Sequence, residues 1–423
     1  MTKFLNPTIG DFSISLKDEH KDIQELAREF ANNEIGPIAH KIDEEDKIPD
    51  SLVKKMSELG FLGDPYPTEY VGIGMDYLSM AIVIEELARV SCAVSVIPVA
   101  HTLITMPLTS FGTEDQKQQF LIPLAKGEKI GAHAMTEPGA GSDPAGISTK
   151  ATKDGNDWII NGTKAWCTNG DIADTFLIFA RTSEEQKRHL GISAFIVDRN
   201  TDGFTVGNAL PKTGIRGSKS VELILEDAKI PNSNILGEEG KGFYVAMDCY
   251  DHGRIEIAAQ GVGIGQAAIE SASKYITQRK AFGQTIMDFQ GPQFMLAEVT
   301  AELQASRLLT YWAASLRDQG KDYVSSAAIA KMYATEAAER ASLTAIKLCG
   351  SAGVATEYPM ERYLRDSQIT KIYEGTNDIQ RVTLGRLLHK ETKNEVGLKL
   401  LSISSTSLLE SLSTFSILAS STA

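Results

Sequence analysis

Cysteine is scarce. The chain has four, Cys92, Cys167, Cys249 and Cys349, in 423 residues, and no two stand at C-x-x-C spacing. That argues against a dithiol redox centre or a thiolate metal site and leaves four reduced, mostly buried thiols as the expectation. The seven histidines make no H-E-x-x-H or comparable ligand spacing, so no metal is expected. Basic residues are outnumbered, 42 Lys and Arg against 55 Asp and Glu, for a net charge of −13. A nucleic-acid partner would need a basic face, so none is expected. Long apolar runs are not evident either. "MAIVIEELARV" is broken by two glutamates and an arginine, and no membrane span is expected. The opening "MTKFLNPTIGDF" lacks the charged and apolar regions of a secretory signal, which makes the cytoplasm the expected location.

What is present falls into three regions, as a chain of this length should. Residues 1–129 read as helical. "DEHKDIQELAREFANNEI" puts Ile23, Leu26 and Phe30 on one stripe, and "DSLVKKMSELGF" begins on a capping Asp. Residues 130–240 change grammar. "TFLIFAR", "ISAFIVDR", "FTVG" and "VELILED" are short β-branched and aromatic runs, and Asn161-Gly162 in "WIINGTKAW" is a hairpin signal. Without helices alternating between them, these runs predict a small antiparallel sheet or β-barrel. Residues 241–394 are helical again. No proline occurs between Pro231 and Pro292, and the long alanine-rich segments predict an antiparallel helical bundle. Residues 395–423 form a serine-rich tail with no functional reading.

Several loops could carry chemistry. In "AMTEPGAGSD", Pro138, Gly139 and Gly141 force turns that expose backbone N–H groups. With Thr136 and Ser142 they could grip a phosphate or a polar ring edge, or simply turn the chain into the sheet. In "KAWCTNG", Trp166 and Thr168 lie two apart on a strand and share a face, a flat ring beside a hydroxyl that suits a planar cofactor or a core. Gly263, Gly265 and Ala268, with Asp288 downstream, imitate a dinucleotide fingerprint, but no strand precedes them. Glycines in a tightly packed helix are the better reading. Arg279 and Lys280 can serve a helix dipole or a pyrophosphate. "DHGR", Asp251 to Arg254, reads as a solvated or ion-paired face. Last, "KIYEGTNDIQR" sets one carboxylate, Glu374, between Tyr373 and Gly375, either a loop before a helix or a catalytic base.

Taken together and in order, "AMTEPGAGSD", "KAWCTNG", "GIRGSKSVELILEDAKIP", "QRKAFGQ", "EYPMERYLRD" and "IYEGTNDIQR" make the chain resemble the acyl-CoA dehydrogenase family, most like its short-chain, butyryl-type branch. The likeness runs from about Ser15 to Thr392. It implies an α+β multi-domain fold: an N-terminal helical domain, a central antiparallel β-barrel and a C-terminal four-helix bundle. It also implies FAD as cofactor and α,β-dehydrogenation of an acyl-CoA thioester to the trans-2-enoyl-CoA. Glu374 falls on the family's catalytic base, taking the α-proton while flavin N5 takes the β-hydride, and the electrons pass to an electron-transfer flavoprotein. By motif position His133, Met135, Thr136, Gly141, Ser142, Trp166 and Thr168 face the flavin. Arg279, Phe282 and Gln290 match positions that reach a neighbouring subunit's FAD, which implies a homo-oligomer, in this family usually a tetramer built as a dimer of dimers. Cys349, Gly350, Thr376 and Asp378 match its pyrophosphate and adenosine contacts. Ser142, Asp251, Arg254, Tyr373 and Gly375 fall around the substrate. Some branches carry the base one residue before the arginine of the "DHGR" segment; here that residue is Gly253. The sequence departs from the family at Lys347, where glutamine is common, at Ser351 for glycine, at "EYVGIG" for "EYGGLG", and at His133 for an aromatic. An oxidase or monooxygenase on the same fold, or a non-catalytic flavoprotein, are the competing readings.

Overall fold

Charge at the ends of helices sets the first architectural contacts. In the computed structural model, which describes residues 14, 16–62, 65–185 and 187–393, the chain opens with α1 (Asp18–Phe30), α2 (Ala39–Glu45) and α3 (Asp50–Glu58). Next come α4 (Tyr77–Val90), α5 (Cys92–Phe111) and the short α6 (Glu114–Gln116) and α7 (Ile122–Ala125). The first N–H groups of α4 have no partner inside the helix, and two carboxylates serve them. Asp76 accepts from Ser79 N at 3.0 Å, and Asp318, from a distant helix, accepts from Tyr77 N at 2.7 Å and Leu78 N at 3.1 Å. Such caps contribute about 1 kcal/mol each. Here they also fix where Tyr77 enters the core. His20 braces the same corner, its Nδ1 accepting from Lys17 N–H and its Nε2 lying 2.9 Å from Asp76. Glu19, His20 and Asp76 stand close enough to hold a cation, but these contacts account for them as a cap.

α5 corrects the reading of apolar runs. Its 20 residues are long and apolar enough to cross a bilayer, yet 94% of the relevant window is buried inside the protein. It is a core helix, packed on α4 and on the long α8 (Gly242–Ile276). The pattern was hidden in sequence by His101 and the threonines, whose side chains are satisfied internally: His101 Nε2 lies 3.1 Å from the Leu124 carbonyl.

The middle region holds β1 (Gly131–Ala134), β2 (Lys150–Asp154), β3 (Asp157–Thr168), β4 (Thr175–Arg181), β5 (Ile192–Asp198), β6 (Phe204–Ala209), β7 (Ser220–Pro231) and β8 (Ile235–Leu236). They form one eight-stranded sheet in the order β6-β7-β3-β2-β4-β5-β8, with β1 beside β4. Its two ends, β6 and β8, do not pair, so the expected barrel is an open sheet. Nor is it purely antiparallel: β1 runs parallel to β4 over Gly131–Ala134, and β2 meets the same strand at Arg181. Asn161-Gly162 makes no hairpin. Both lie within β3, where the register against β7 shifts between Ile160 and Gly162. Asn161 exchanges two hydrogen bonds with Asp227 across that shift, and a Cβ at Gly162 would collide with Thr149. The turn falls earlier, at Gly155, φ 61°.

After α8 a small hairpin, β9 (Lys280–Ala281) and β10 (Gln284–Thr285), leads to α9 (Gln290–Asp318), α10 (Val324–Cys349), α11 (Ser351–Val354) and α12 (Met360–Thr370); residues 377–393 are helical as well. α8, α9, α10 and α12 pack on one another as the expected bundle. α10 approaches α8 closely because its buried face carries the small residues Ala327, Ala330, Ala334, Ala338, Ala341 and Ala345 at helical spacing. Facing it, Gly261 leaves so little space that a Cβ there would meet Ala334 backbone at 2.9 Å. Gly263 and Gly265 sit mid-helix against α4 and Leu303, as the packed-helix reading requires. The serine-rich tail lies outside the described residues.

Candidate active site

The turn between α12 and the last helix is strained. Glu374 has φ 52°, and Gly375 follows at φ 88°. A non-glycine residue held in the left-handed region costs of order 1–3 kcal/mol, and such strain persists only where neighbours enforce it. Here a buried lysine enforces it. Lys331 lies on the alanine face of α10 and donates to the Gly375 carbonyl at 2.9 Å and to Asn377 Oδ1 at 3.0 Å. Gln380 adds a second donor to the same carbonyl at 2.9 Å. Burial lowers the Lys331 ammonium to about 7, with Glu374 pulling the other way.

The strain aims a carboxylate. Glu374 as a residue is partly exposed, but its Oε2 is buried and without a hydrogen-bond partner. It points at Gly253 of α8, where a Cβ would overlap that oxygen. Burial raises Glu374 well above the ordinary carboxylate range; Glu256 pushes the same way, and Lys331 and Arg254 oppose it. Among the described residues the Glu374 N–H makes no backbone hydrogen bond. A base beside a free donor is what proton removal next to a carbonyl requires. The neighbouring Tyr373 hydroxyl donates to Gln260 Oε1, and Gln260 Nε2 donates to Ser95 Oγ at 2.9 Å. Gly253, Ile257 and Gln260 share one face of α8, so the Tyr373–Gln260–Ser95 bridge crosses that face two turns beyond the Glu374 carboxylate.

Of the two readings of "DHGR", the ion-paired one holds and the solvated one does not. The segment lies in the third turn of α8, with His252, Gly253 and Arg254 buried. Arg254 donates to Asp251 at 2.5 Å, and its Nε is buried and unpartnered. Burial raises the Asp251 carboxyl to about 6. One turn earlier Tyr250 meets the His133 ring edge-on at 5.5 Å, which ties β1 to this wall. Burial, with Lys164 nearby, lowers His133 to about 3, so its imidazole is neutral, with Nε2 unsatisfied.

The glycine-rich loop is pinned at its base and open at its tip. Lys164 and Glu137 form a buried ion pair at 2.7 Å, and Lys164 also reaches the Met135 carbonyl. Glu137 further accepts from Ser148 N and Thr149 N; these contacts outweigh its burial and hold it at about 2. Met135 is buried, Thr136 half-buried, Gly141 and Ser142 exposed, and a Cβ at Gly139 or Gly141 would touch nothing within 4 Å. On the adjoining strand a second register shift, between Lys164 and Cys167, turns Trp166 to φ 60° and leaves it 54% exposed. It is not a core tryptophan. Thr168 is half-buried.

Other residues do not join this group within one chain. Arg279, Phe282 and Gln290 follow the far end of α8, where Ile276 stands about 35 Å from Gly253 at roughly 1.5 Å per residue. All three are exposed, Phe282 by 96%. Cys349 and Gly350 end α10 about 27 Å from Lys331 on the same measure. Thr376 caps the last helix, accepting from Ile379 N at 3.3 Å, and Asp378 pairs with Arg381. Lys347 is exposed. The sequence reading passed over Lys331, Gln260, Glu256 and the Lys164–Glu137 pair. Their one signal was a polar residue on an otherwise apolar face.

Comparison with known proteins agrees in order and extent. Family models described as acyl-CoA dehydrogenase N-terminal, middle and C-terminal domains match residues 17–128, 132–228 and 240–389. A short-chain specific acyl-CoA dehydrogenase of Clostridium acetobutylicum is 44% identical over 375 residues, 88% of this chain and 98% of that one. The mitochondrial short-chain specific acyl-CoA dehydrogenase of Rattus norvegicus is 45% identical over 378 residues, 89% of this chain and 92% of that one. The solved butyryl-CoA dehydrogenase of Megasphaera elsdenii superposes with a TM-score of 0.87 at 39% identity, covering 89% of this chain and 99% of that chain. A structure from work on the electron transferring flavoprotein of Acidaminococcus fermentans gives 0.87 at 40% identity with the same coverage.

Proposed function

The chain belongs to the acyl-CoA dehydrogenase family, and on that premise we propose that it desaturates a short acyl-CoA between Cα and Cβ, the opening reaction type of fatty-acid β-oxidation, with Glu374 as the base. The observation that carries this is the buried, unpartnered Glu374 Oε2, held over Gly253 by a strained turn. The α-proton of a thioester is weakly acidic, and a base of raised proton affinity matches it better than an ordinary carboxylate. The free Glu374 N–H is placed to steady the negative charge that develops on the thioester oxygen. Gly253 leaves room for the carboxylate, Gly375 for the acyl chain, Tyr373 walls it, and the Tyr373–Gln260–Ser95 bridge favours a short one.

The residues fit FAD. The exposed Trp166 ring offers a flat face, the buried His133 Nε2 lacks a partner, and the tip at Gly139 and Gly141 leaves backbone open, which are the groups a flavin ring needs. His133, Met135, Thr136, Gly141, Ser142, Trp166 and Thr168 would hold the ring, and Cys349, Gly350, Thr376 and Asp378 the remainder. FAD, when bound, supplies the two-electron acceptor for the β-hydride. Asp251, Arg254 and Ser142 would orient the thioester. Because Arg279, Phe282 and Gln290 follow the far end of α8, itself about 35 Å from Gly253, and are exposed, they would serve the site of another copy. The assembly is then a homo-oligomer, a dimer of dimers, and the electrons leave to an electron-transfer flavoprotein. Anaerobic flavin bleaching by a panel of acyl-CoAs, straight and branched, tests the reading. Butyryl-CoA is expected to bleach the flavin fastest, and failure of every member would end it. Rapid reoxidation by air would favour an oxidase instead.

Two further outcomes follow from these contacts. Arg279→Ala should lose FAD on dialysis, and a variant that stays yellow would remove the contact between copies. Lys331→Met frees the Glu374–Gly375 turn; because small misplacements cost about a hundredfold, bleaching should slow by at least tenfold while flavin content is kept. An unchanged rate would show that Gln380 alone holds the turn.

A further inference from the structure

A second carboxyl lies behind the base. Glu256, on α8, is fully buried. It follows Gly253 by three residues, so the two positions are neighbours on one helix face, about 5–6 Å apart at Cβ. The Gly253 Cβ position coincides with Glu374 Oε2, and the stem of Glu256 therefore starts about that far from the base.

Three other buried acids are paired with cations, Glu85 with Arg307 at 2.8 Å, Glu86 with Arg28 at 2.6 Å and Glu137 with Lys164 at 2.7 Å, while Asp366 accepts from the Ile215 N–H. Among the described residues neither Glu256 nor Glu374 has such a cation partner. Glu256 meets hydroxyls instead, Tyr77 Oη of α4 at 2.6 Å and Thr102 Oγ1 of α5 at 2.8 Å. Those two groups carry one hydrogen each. Tyr77 Oη also lies 3.1 Å from both His252 Nδ1 and the His252 carbonyl, and Thr102 Oγ1 lies 2.7 Å from the Val99 carbonyl. A proton on Glu256 Oε2, donated to Thr102, frees the threonine hydrogen for Val99 and satisfies that side in full. Arg317 of α9, a cation that acts on Glu256, stacks on the Tyr77 ring at 3.9 Å and makes no ion pair with the carboxyl.

We propose that Glu256 and Glu374 form a coupled carboxyl pair, in which Glu256 is the positioning residue that decides when the base releases its proton. This rests on Glu374 being the base. Two carboxylates in one desolvated site resist ionising together. Ionised Glu256 holds the proton on Glu374; neutral Glu256 lets it go. Lys331, Arg254, Cys249, Tyr250 and Tyr373 are the other titratable groups that act on or feel Glu374, and Tyr77, His252 through Tyr77, and Arg317 are those around Glu256. Burial raises both carboxyls above the ordinary range, Glu256 to about 8.

The experiment is a pH titration of the buried carboxyl bands in the infrared, on holoenzyme carrying carbon-13 glutamate and no substrate. The band lost in Glu374→Gln identifies the base. In Glu256→Gln, whose amide still meets Tyr77 and Thr102, that band should titrate lower by about one to two pH units, the size expected for unit charges 6–8 Å apart in a protein interior. The acid limb of kcat/KM should move with it. Tyr77→Phe removes the bond that steadies ionised Glu256 and should shift the band in the same direction, which keeps the test open if Glu256→Gln does not fold. An unmoved band in either folded variant overturns the pair. A Glu256 that only packed helices would change Tm and leave both titrations in place. The infrared titration needs no turnover, so absent bleaching by butyryl-CoA would count against the proposed reaction and not against the pair.

Discussion

Glu374→Gln is expected to keep its flavin and to bind butyryl-CoA, yet to lose at least about a thousandfold of the bleaching rate, the range associated with a positioned general base. The substitution removes basicity and little else. The turn that carries residue 374 is held through backbone carbonyls, by Lys331 and Gln380 on Gly375, so it does not depend on the carboxylate. Glutamine fills the same volume over Gly253. It would leave the N–H of residue 374 in place for the thioester oxygen, and substrate affinity should survive. The pH dependence has a definite sign. Only the ionised base takes a proton, and burial with Glu256 raises the carboxyl. Wild-type bleaching should therefore rise with pH through the proton affinity of Glu374, and the variant should show no such limb. Stopped-flow absorbance reads both. Bleaching near the wild-type rate would place the base elsewhere.

Much of this was legible in the sequence because it is local. Helical periodicity gave α1, and ordered motifs gave the family and Glu374. Gly375 stood out because a turn at φ 88° needs glycine. What was not legible depends on distant partners. The Asn161-Gly162 pair carries a hairpin signature, yet β7 runs alongside, and Asp227 turns the pair into an irregularity within a strand. Strand runs predict a sheet but not its closure, which depends on whether β6 meets β8. Glu256 and Lys331 are single charges in helical stretches, and periodicity alone does not single them out. Only the packing of α4, α5 and α10 against α8 shows that both are buried beside the base. For Trp166 the sequence left cofactor and core both open; the irregularity after Lys164 swings the ring outward and removes the core reading.

Position 253 should accept the base that position 374 gives up. The two converge on one point, since a Cβ at Gly253 would occupy the place of Glu374 Oε2. Gly253→Ala alone must therefore displace the carboxylate. A displacement of about 1 Å costs on the order of a hundredfold, and the crowding destabilises by about 1–3 kcal/mol; bleaching should fall accordingly while FAD is retained. Pairing Glu374→Gly with Gly253→Glu vacates the space and sends a carboxylate into it from α8. Glycine at 374 also relieves the left-handed strain of that residue, which partly offsets the cost of burying a new acid. The geometry will be imperfect, because the new side chain comes from a rigid helix and not from a turn tuned by Lys331. Even so, the double variant should bleach at least about tenfold faster than Glu374→Gly alone, on the premise that a general base contributes a hundredfold or more when well placed. A double variant that folds, holds FAD and runs no faster than Glu374→Gly would show that the proton leaves along a direction α8 does not face. A Gly253→Ala enzyme at full rate would show that the oxygen does not rest over α8.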